Sequence, residues 1–136
     1  MLKPDSQQKG LAGEYYVASI LSRLGYDIGI TIGRAKAYDM IAIGPSGKTV
    51  NIQVKSTYTA YDWLVKEFPP SPNSIVAFVR LGKDITKLPE LYIISASEAN
   101  EIINYKYPTH SPQIDRRVVI AKYKDHDFSL IEQLLN

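Results

Sequence analysis

The amino-acid sequence predicts an α/β fold, a mixed sheet flanked by helices, and three observations carry the prediction. The chain opens with a long segment whose apolar residues recur at helical spacing. Two period-two arms follow, joined by a Gly/Pro/Ser cluster. A continuous apolar run, Ser74 to Leu81, then reads as a strand buried on both faces. The full order is helix, three strands, two strands, helix, strand, helix. At 136 residues the chain suits one domain, 1–136, with its own core.

Residues 6–24 form the first helix. Asp5 and Gln8 are spaced for a capping box, and Pro4 fits just before it. Leu11, Val17, Ala18, Ile20, Leu21 and Leu24 supply the apolar stripe, and Gly25 ends it. Glu14 lies three residues after Leu11 and three before Val17, so it sits on or beside the stripe. An inward carboxylate is costly unless paired, protonated or bound to metal. The plainer alternative is a Glu favoured by the helix dipole. Gly10 and Gly13 flank it and allow another backbone to approach closely.

Tyr26 to Ile32 reads as a short strand. The loop from Gly33 to Ala37 carries Arg34 and Lys36, which can meet a phosphate or simply be solvated. The hairpin comes next, Tyr38–Ile43 and Thr49–Lys55 about a turn at Gly44–Lys48. A turn centred on Ser46 puts Asp39 across from Gln53, with Cβ atoms roughly 5 Å apart. Lys55 shares that face one step on, about 7 Å away. A carboxylate, a carboxamide and an ammonium then converge at one end of the hairpin, and a slip of one residue would separate them. Their plainest role is a cross-strand ion pair between Asp39 and Lys55, worth under roughly 1 kcal/mol.

The connector from Ser56 to Phe68 is rich in hydroxyls and aromatics and is broken by Pro69 and Pro70. It suits base stacking, and it suits better a flap that packs Trp63 onto the core. Glu90 to Ile94 is the next strand. Ser95 or Ser97 caps a helix over Glu98 to Asn104, with Ala99, Ile102 and Ile103 inward. Tyr105 to Pro112 is a loop holding His110. Arg116 to Ala121 reads as a last strand by its β-branched run, and Asp127 caps a closing helix. His110 and His126 stand without a second ligand at metal spacing and read as surface residues.

The net charge is only +2, so any basic patch for a polyanion must be local. The absence of cysteine excludes disulfides and cysteine-ligated zinc. With no signal-peptide core in Met1–Gln8 and no apolar run of membrane-spanning length, a soluble cytoplasmic protein without a membrane partner is expected.

Glu14 on the first helix, Asp39 on one strand and Gln53-Val54-Lys55 on the next form a set that resembles the PD-(D/E)XK nuclease superfamily, with its restriction-endonuclease-like fold. Holliday-junction resolvase-like and Mrr-like members are the most similar in pattern. The motifs span roughly residues 8 to 57, and Gly10-Leu11-Ala12-Gly13-Glu14 is similar to the resolvase-like first helix. The resemblance implies a Mg²⁺- or Mn²⁺-dependent endodeoxyribonuclease that hydrolyses DNA phosphodiester bonds, working as a homodimer. Asp39 is then the carboxylate ligand, Lys55 the motif lysine and Glu14 the helix carboxylate. On chemical grounds apart from the resemblance, the Gln53 side-chain oxygen and the Val54 carbonyl complete an oxygen shell for such an ion, and the loop cations Arg34 and Lys36 are the expected nucleic-acid contacts. Gln53 departs from the commoner Glu or Asp and removes one formal charge. A catalytically silent domain of this fold, binding nucleic acid or a protein partner, is the alternative. An unrelated α/β interaction domain, with Tyr58, Tyr61 and Trp63 as its contact surface, is the third.

Overall fold

In the computed structural model the described residues are 2–31, 37–106 and 111–136, so the expectations for Arg34, Lys36 and His110 lie outside them. The first helix, α1, spans Ser6–Arg23 and begins at the expected capping box. Asp5 accepts from the Gln8 amide at 2.8 Å, and the Gln8 side chain accepts from the Asp5 amide at 3.0 Å. Its buried face is narrower than the predicted stripe. Gly13, Val17 and Leu21 are buried, while Leu11 and Leu24 are each 45% exposed.

The strands are β1 (Asp27–Ile30), β2 (Met40–Ile43), β3 (Thr49–Thr57), β4 (Trp63–Leu64), β5 (Ser74–Arg80), β6 (Glu90–Ser95) and β7 (Gln113–Ile114). Five of them form a mixed sheet in the order β1-β2-β3-β5-β6. Only the β3–β5 pair is parallel. From Met40 opposite Ile52 to Ile43 opposite Thr49 the hairpin register is the predicted one, but the ladder ends there. The expected Asp39–Gln53 pair is not part of it, because the Asp39 amide bonds the Ile52 carbonyl instead. Two helices follow the sheet order closely. Ser95 caps α2 (Ala96–Glu101) through the Glu98 amide, and Asp127 accepts from the Ser129 amide at the start of α4 (Ser129–Leu135).

The sheet separates two apolar clusters. Val17 and Leu21 of α1, and Ile131 and Leu135 of α4, cover one face against Met40, Val50, Ile52 and Ala77. On the other face Val76, Phe78, Tyr92 and Ile94 pack with Trp63, Ala99, Ile114 and Val119. Trp63 is 1% exposed and donates its indole N–H to the Val79 carbonyl at 3.0 Å. The connector is therefore a flap pinned by Trp63, as preferred from sequence, and its β4 pairs with β7.

Arg116 to Ala121 is not a strand. It is helix α3, Arg116–Lys122, and the strand in this region is Gln113–Ile114. Only Val119 of the β-branched run is buried, while Val118 and Ile120 are 42% and 44% exposed. One inward residue per turn satisfies a helix on the flap side of the core, and this packing overrides β-propensity. His126 is also misjudged as a surface residue. Its ring is half-buried, 2.7 Å from both the Tyr16 hydroxyl and the Asp125 carboxylate, and its amide donates to the Leu91 carbonyl. Because the carboxylate only accepts, Nδ1 carries a proton, and in the neutral imidazole Nε2 then accepts from Tyr16. Burial, then the Asp125 charge, pushes the Tyr16 pKa up, so its hydroxyl stays a donor.

Glu90 ties the start of β6 to its surroundings. It accepts from Arg116 at 2.9 Å and from the Tyr92 hydroxyl at 2.6 Å, and lies 3.7 Å from Arg80. Burial alone would raise its pKa, but these hydrogen bonds and the two guanidinium charges outweigh burial and hold it below 4.5. A depressed carboxylate stabilises the fold above its unfolded pKa, and that stabilisation is lost as pH falls through the folded value. Glu90→Gln should therefore unfold at lower urea than the parent at pH 7. The gap should narrow below about pH 4.5 and close in stronger acid. A gap independent of pH in urea titrations would remove the charge from the explanation. A second test concerns the contact of α1 with the sheet. A Cβ on Gly13 would stand 1.6 Å from the Ser56 hydroxyl oxygen and 2.9 Å from its Cβ. Gly13→Ala should cost about 1–3 kcal/mol by overpacking, despite the roughly 1 kcal/mol that Ala gains over Gly inside a helix. Unchanged or raised urea stability would show that β3 yields easily there.

Candidate functional site

The hairpin splays just beyond Met40 and Ile52. The Tyr38 carbonyl accepts from the Thr31 hydroxyl, the Thr31 amide donates to the Asp39 carbonyl, and the Tyr38 hydroxyl reaches Ser74 at 3.1 Å. These bonds draw Tyr38 and Asp39 between β1 and β5. The Asp39 amide donates to the Ile52 carbonyl at 2.9 Å, and its carboxylate accepts from the Val54 amide at 2.7 Å. A side-chain acceptor thus replaces the ladder at the residue between Gln53 and Lys55. A carboxylate has about four lone-pair sites, so this bond leaves acceptor capacity on Asp39.

Alternation along β3 sends Val54 and Ser56 toward α1, and Gln53 and Lys55 toward the flap. Gly13 is the point of closest approach. It lies against Ser56 and Val54, with half-buried Glu14 next to it on the helix. Glu14 therefore enters from the α1 layer, while Gln53 and Lys55 line a cavity of about 570 Å³ under the flap. Val65 and Lys66 of the flap line it too. Gly10, expected to give a second close approach, has open space where its Cβ would be.

A second cavity of about 300 Å³ adjoins the first, since Lys55 and Leu64 line both. Lys9 of α1 and Tyr58 belong to it, with the Lys9 ammonium 5.6 Å from the centre of the Tyr58 ring. Sequence reading passed over Lys9 and Lys66, because a single lysine on an exposed turn carries no pattern. Tyr61, named only as part of a contact surface, lies with Arg80 and Arg116 over its ring, at 4.6 and 5.7 Å.

Among the described residues no group of three or more His, Cys, Asp or Glu is placed to hold a metal ion. No helix among the described residues is long and apolar enough to cross a membrane.

The sequence matches no family model and no curated protein. Among solved structures, a bacterial homing endonuclease, I-Ssp6803I, is similar, with a TM-score of 0.57 and 11% sequence identity. The similarity covers 82% of this chain and 75% of that one. At this identity the likeness is one of fold, so the chain has a nuclease-like mixed α/β fold.

The Asp39–Val54 bond gives a test that separates structure from chemistry. Asp39→Ala leaves the part-buried Val54 amide without its acceptor and should cost about 1–3 kcal/mol. Asp39→Asn retains an acceptor oxygen and should cost markedly less. Equal urea midpoints for the two variants would show that water replaces the carboxylate freely.

Proposed function

We propose that this chain is a metal-dependent endonuclease of the PD-(D/E)XK type that hydrolyses phosphodiester bonds in DNA, acting in the cytoplasm as a homodimer. The observation that carries the reading is the Asp39 carboxylate seated on the amide between Gln53 and Lys55. A fold shared with a homing endonuclease supports it.

The donor set suits a hard cation. Asp39, the Gln53 amide oxygen and the Val54 carbonyl offer only oxygens, and Glu14, which enters from the α1 side of β3, would contribute only through water. Mg²⁺ takes such a set while keeping several waters, and Mn²⁺ accepts the same ligands. Bound there, the ion would polarise the phosphate and acidify a water. The protein's own groups do the rest. Asp39 supplies charge from a position its hydrogen bond holds steady. Lys55 neutralises charge growing on the phosphate in the transition state. Arg34 and Lys36 contact phosphates. Gln53 favours one other reading, a silent domain of this fold that binds nucleic acid or a protein, because a neutral amide holds a divalent ion less firmly than a carboxylate.

Three variants separate the readings. Asp39→Asn should abolish nicking while keeping the fold. Lys55→Ala should lower turnover by about 10²–10³-fold with metal still bound. Gln53→Glu should bind Mg²⁺ more tightly, since it adds an anionic oxygen. Calorimetry with Mg²⁺ and Mn²⁺, and nicking of plasmid and branched DNA, read these out. A parent that neither takes up metal nor nicks, beside a Gln53→Glu variant that gains metal, would establish the silent domain. No uptake by any variant would reduce the nuclease likeness to one of fold.

A further inference from the structure

Lys55 and Leu64 line both cavities, so the two adjoin and make a two-part groove beside the flap. Three elements each bring a lysine to it: α1 gives Lys9, β3 gives Lys55, and the flap gives Lys66. Lys55 lines both cavities, whereas Lys9 lines only the second and Lys66 only the first. The flap alternates as a strand should. Trp63 and Val65 are buried, while Leu64 is 66% exposed and Lys66 is exposed. Its outer face therefore offers an apolar side chain and a cation. The other cavity adds Tyr58, which is half-buried under the Lys9 ammonium.

We propose that this groove carries one nucleic-acid strand, with Lys9 and Lys66 holding the phosphates on either side of the one at Lys55, and with Tyr58 and Leu64 as the surfaces that bases or sugars rest on. The inference rests on the nucleic-acid part of the proposed function and adds four residues and a strand path to it. Cations along a groove with aromatic or apolar platforms between them recognise a strand without regard to sequence. Of the two acids lining the groove, Asp62 is committed elsewhere. It accepts from the Arg116 amide at 3.0 Å and from Gln113 at 3.5 Å. The second, Glu67, lies next to Lys66 and opposes a bound phosphate.

The test is fluorescence anisotropy with a single-stranded and a duplex oligonucleotide, from about 50 to 200 mM salt. It is run in EDTA and again in Ca²⁺, with folding of each variant checked by circular dichroism. Lys9→Ala and Lys66→Ala should each weaken single-strand binding by about 3–10-fold and lower the salt slope by about 0.7, the value for one phosphate contact. Lys9→Arg should restore most of the affinity, and Glu67→Gln should tighten binding. Lys122→Ala, on α3 beside Tyr123, should change neither affinity nor slope. Parent-like binding by both alanine variants, or an effect no larger than that of Lys122→Ala, overturns the strand path and leaves the nuclease reading intact. Dependence on Lys9 and Lys66 for duplex alone also overturns it. Absence of binding by the parent overturns the strand path and the nucleic-acid reading together. Lysine-dependent binding by a parent that takes up no metal and nicks nothing upholds the strand path and removes only the enzyme.

Discussion

The strict alternation of β3 is the constraint on which the rest depends. This strand pairs antiparallel with β2 on one side and parallel with β5 on the other, so it is the shared wall of both halves of the sheet. Val50 and Ile52, fully buried, and Val54 belong to the cluster under α1 and α4. Gln53 and Lys55 stand between them on the other face. A one-residue slip would drive Gln53 and Lys55 beneath α1 and expose the apolar set. Each large apolar side chain lost from the core costs about 1.5–3 kcal/mol. The placing of Lys55 is therefore enforced by the burial of its neighbours. Gly13 sharpens the constraint, because a helix lying this close to Ser56 leaves β3 no room to shift toward α1.

The flap makes a groove of that wall, although its strand has only two residues. Two kinds of interaction hold it. Trp63 is buried with ring contacts to Phe78 at 5.3 Å and Tyr92 at 6.3 Å. Arg80 donates to the Thr59 and Ala60 carbonyls, and the Arg116 amide donates to Asp62. Magnitudes decide between them. Truncating a buried Trp costs about 3–5 kcal/mol, whereas each hydrogen bond to a charged group contributes about 1.5–3 kcal/mol net, and the two from Arg80 are exposed. Apolar burial thus fixes the height of the flap above the sheet. The polar ties fix its direction, since each must meet a particular carbonyl or carboxylate. They leave Leu64 and Lys66 facing outward over Gln53 and Lys55.

Most of this was legible in the sequence wherever a local rule and the tertiary context agree. The capping box at Asp5 and Gln8, the hairpin register about Ser46 and the run from Ser74 are of that kind. Each rests on spacing that water and sterics enforce on the isolated segment. Arg116–Lys122 was misread because its β-branched residues speak for a strand locally, while the core has a place for only one of them, Val119. His126 was misread for a different reason. Its partners Tyr16 and Leu91 are distant in the chain, and no spacing announces a contact of that range. The role of Asp39 was half legible. The turn fixes the register only as far as Met40 opposite Ile52, one residue short of Asp39. The Val54 bond depends on how the hairpin splays, which is set by Thr31 just after β1 and by Ser74 of β5.

Position 53 is where the proposed chemistry and the proposed strand path pull in opposite directions. A carboxylate there would hold a divalent cation more firmly. It would also add a negative charge to a groove that must admit a polyanion. Two like charges about 4 Å apart repel by roughly 4 kcal/mol at an effective dielectric constant of 20, so the difference is large for a groove with few cations. A carboxamide keeps one hard oxygen for the ion and adds two N–H donors that a carboxylate lacks. It can therefore face a cation with its oxygen and a phosphate or Asp39 with its nitrogen. On this reading Gln53 weakens the grip on the ion and lowers the electrostatic barrier to the strand. The cost of the missing charge then falls on Asp39 and Glu14, and it is the bond from Val54 that keeps Asp39 in place to bear it.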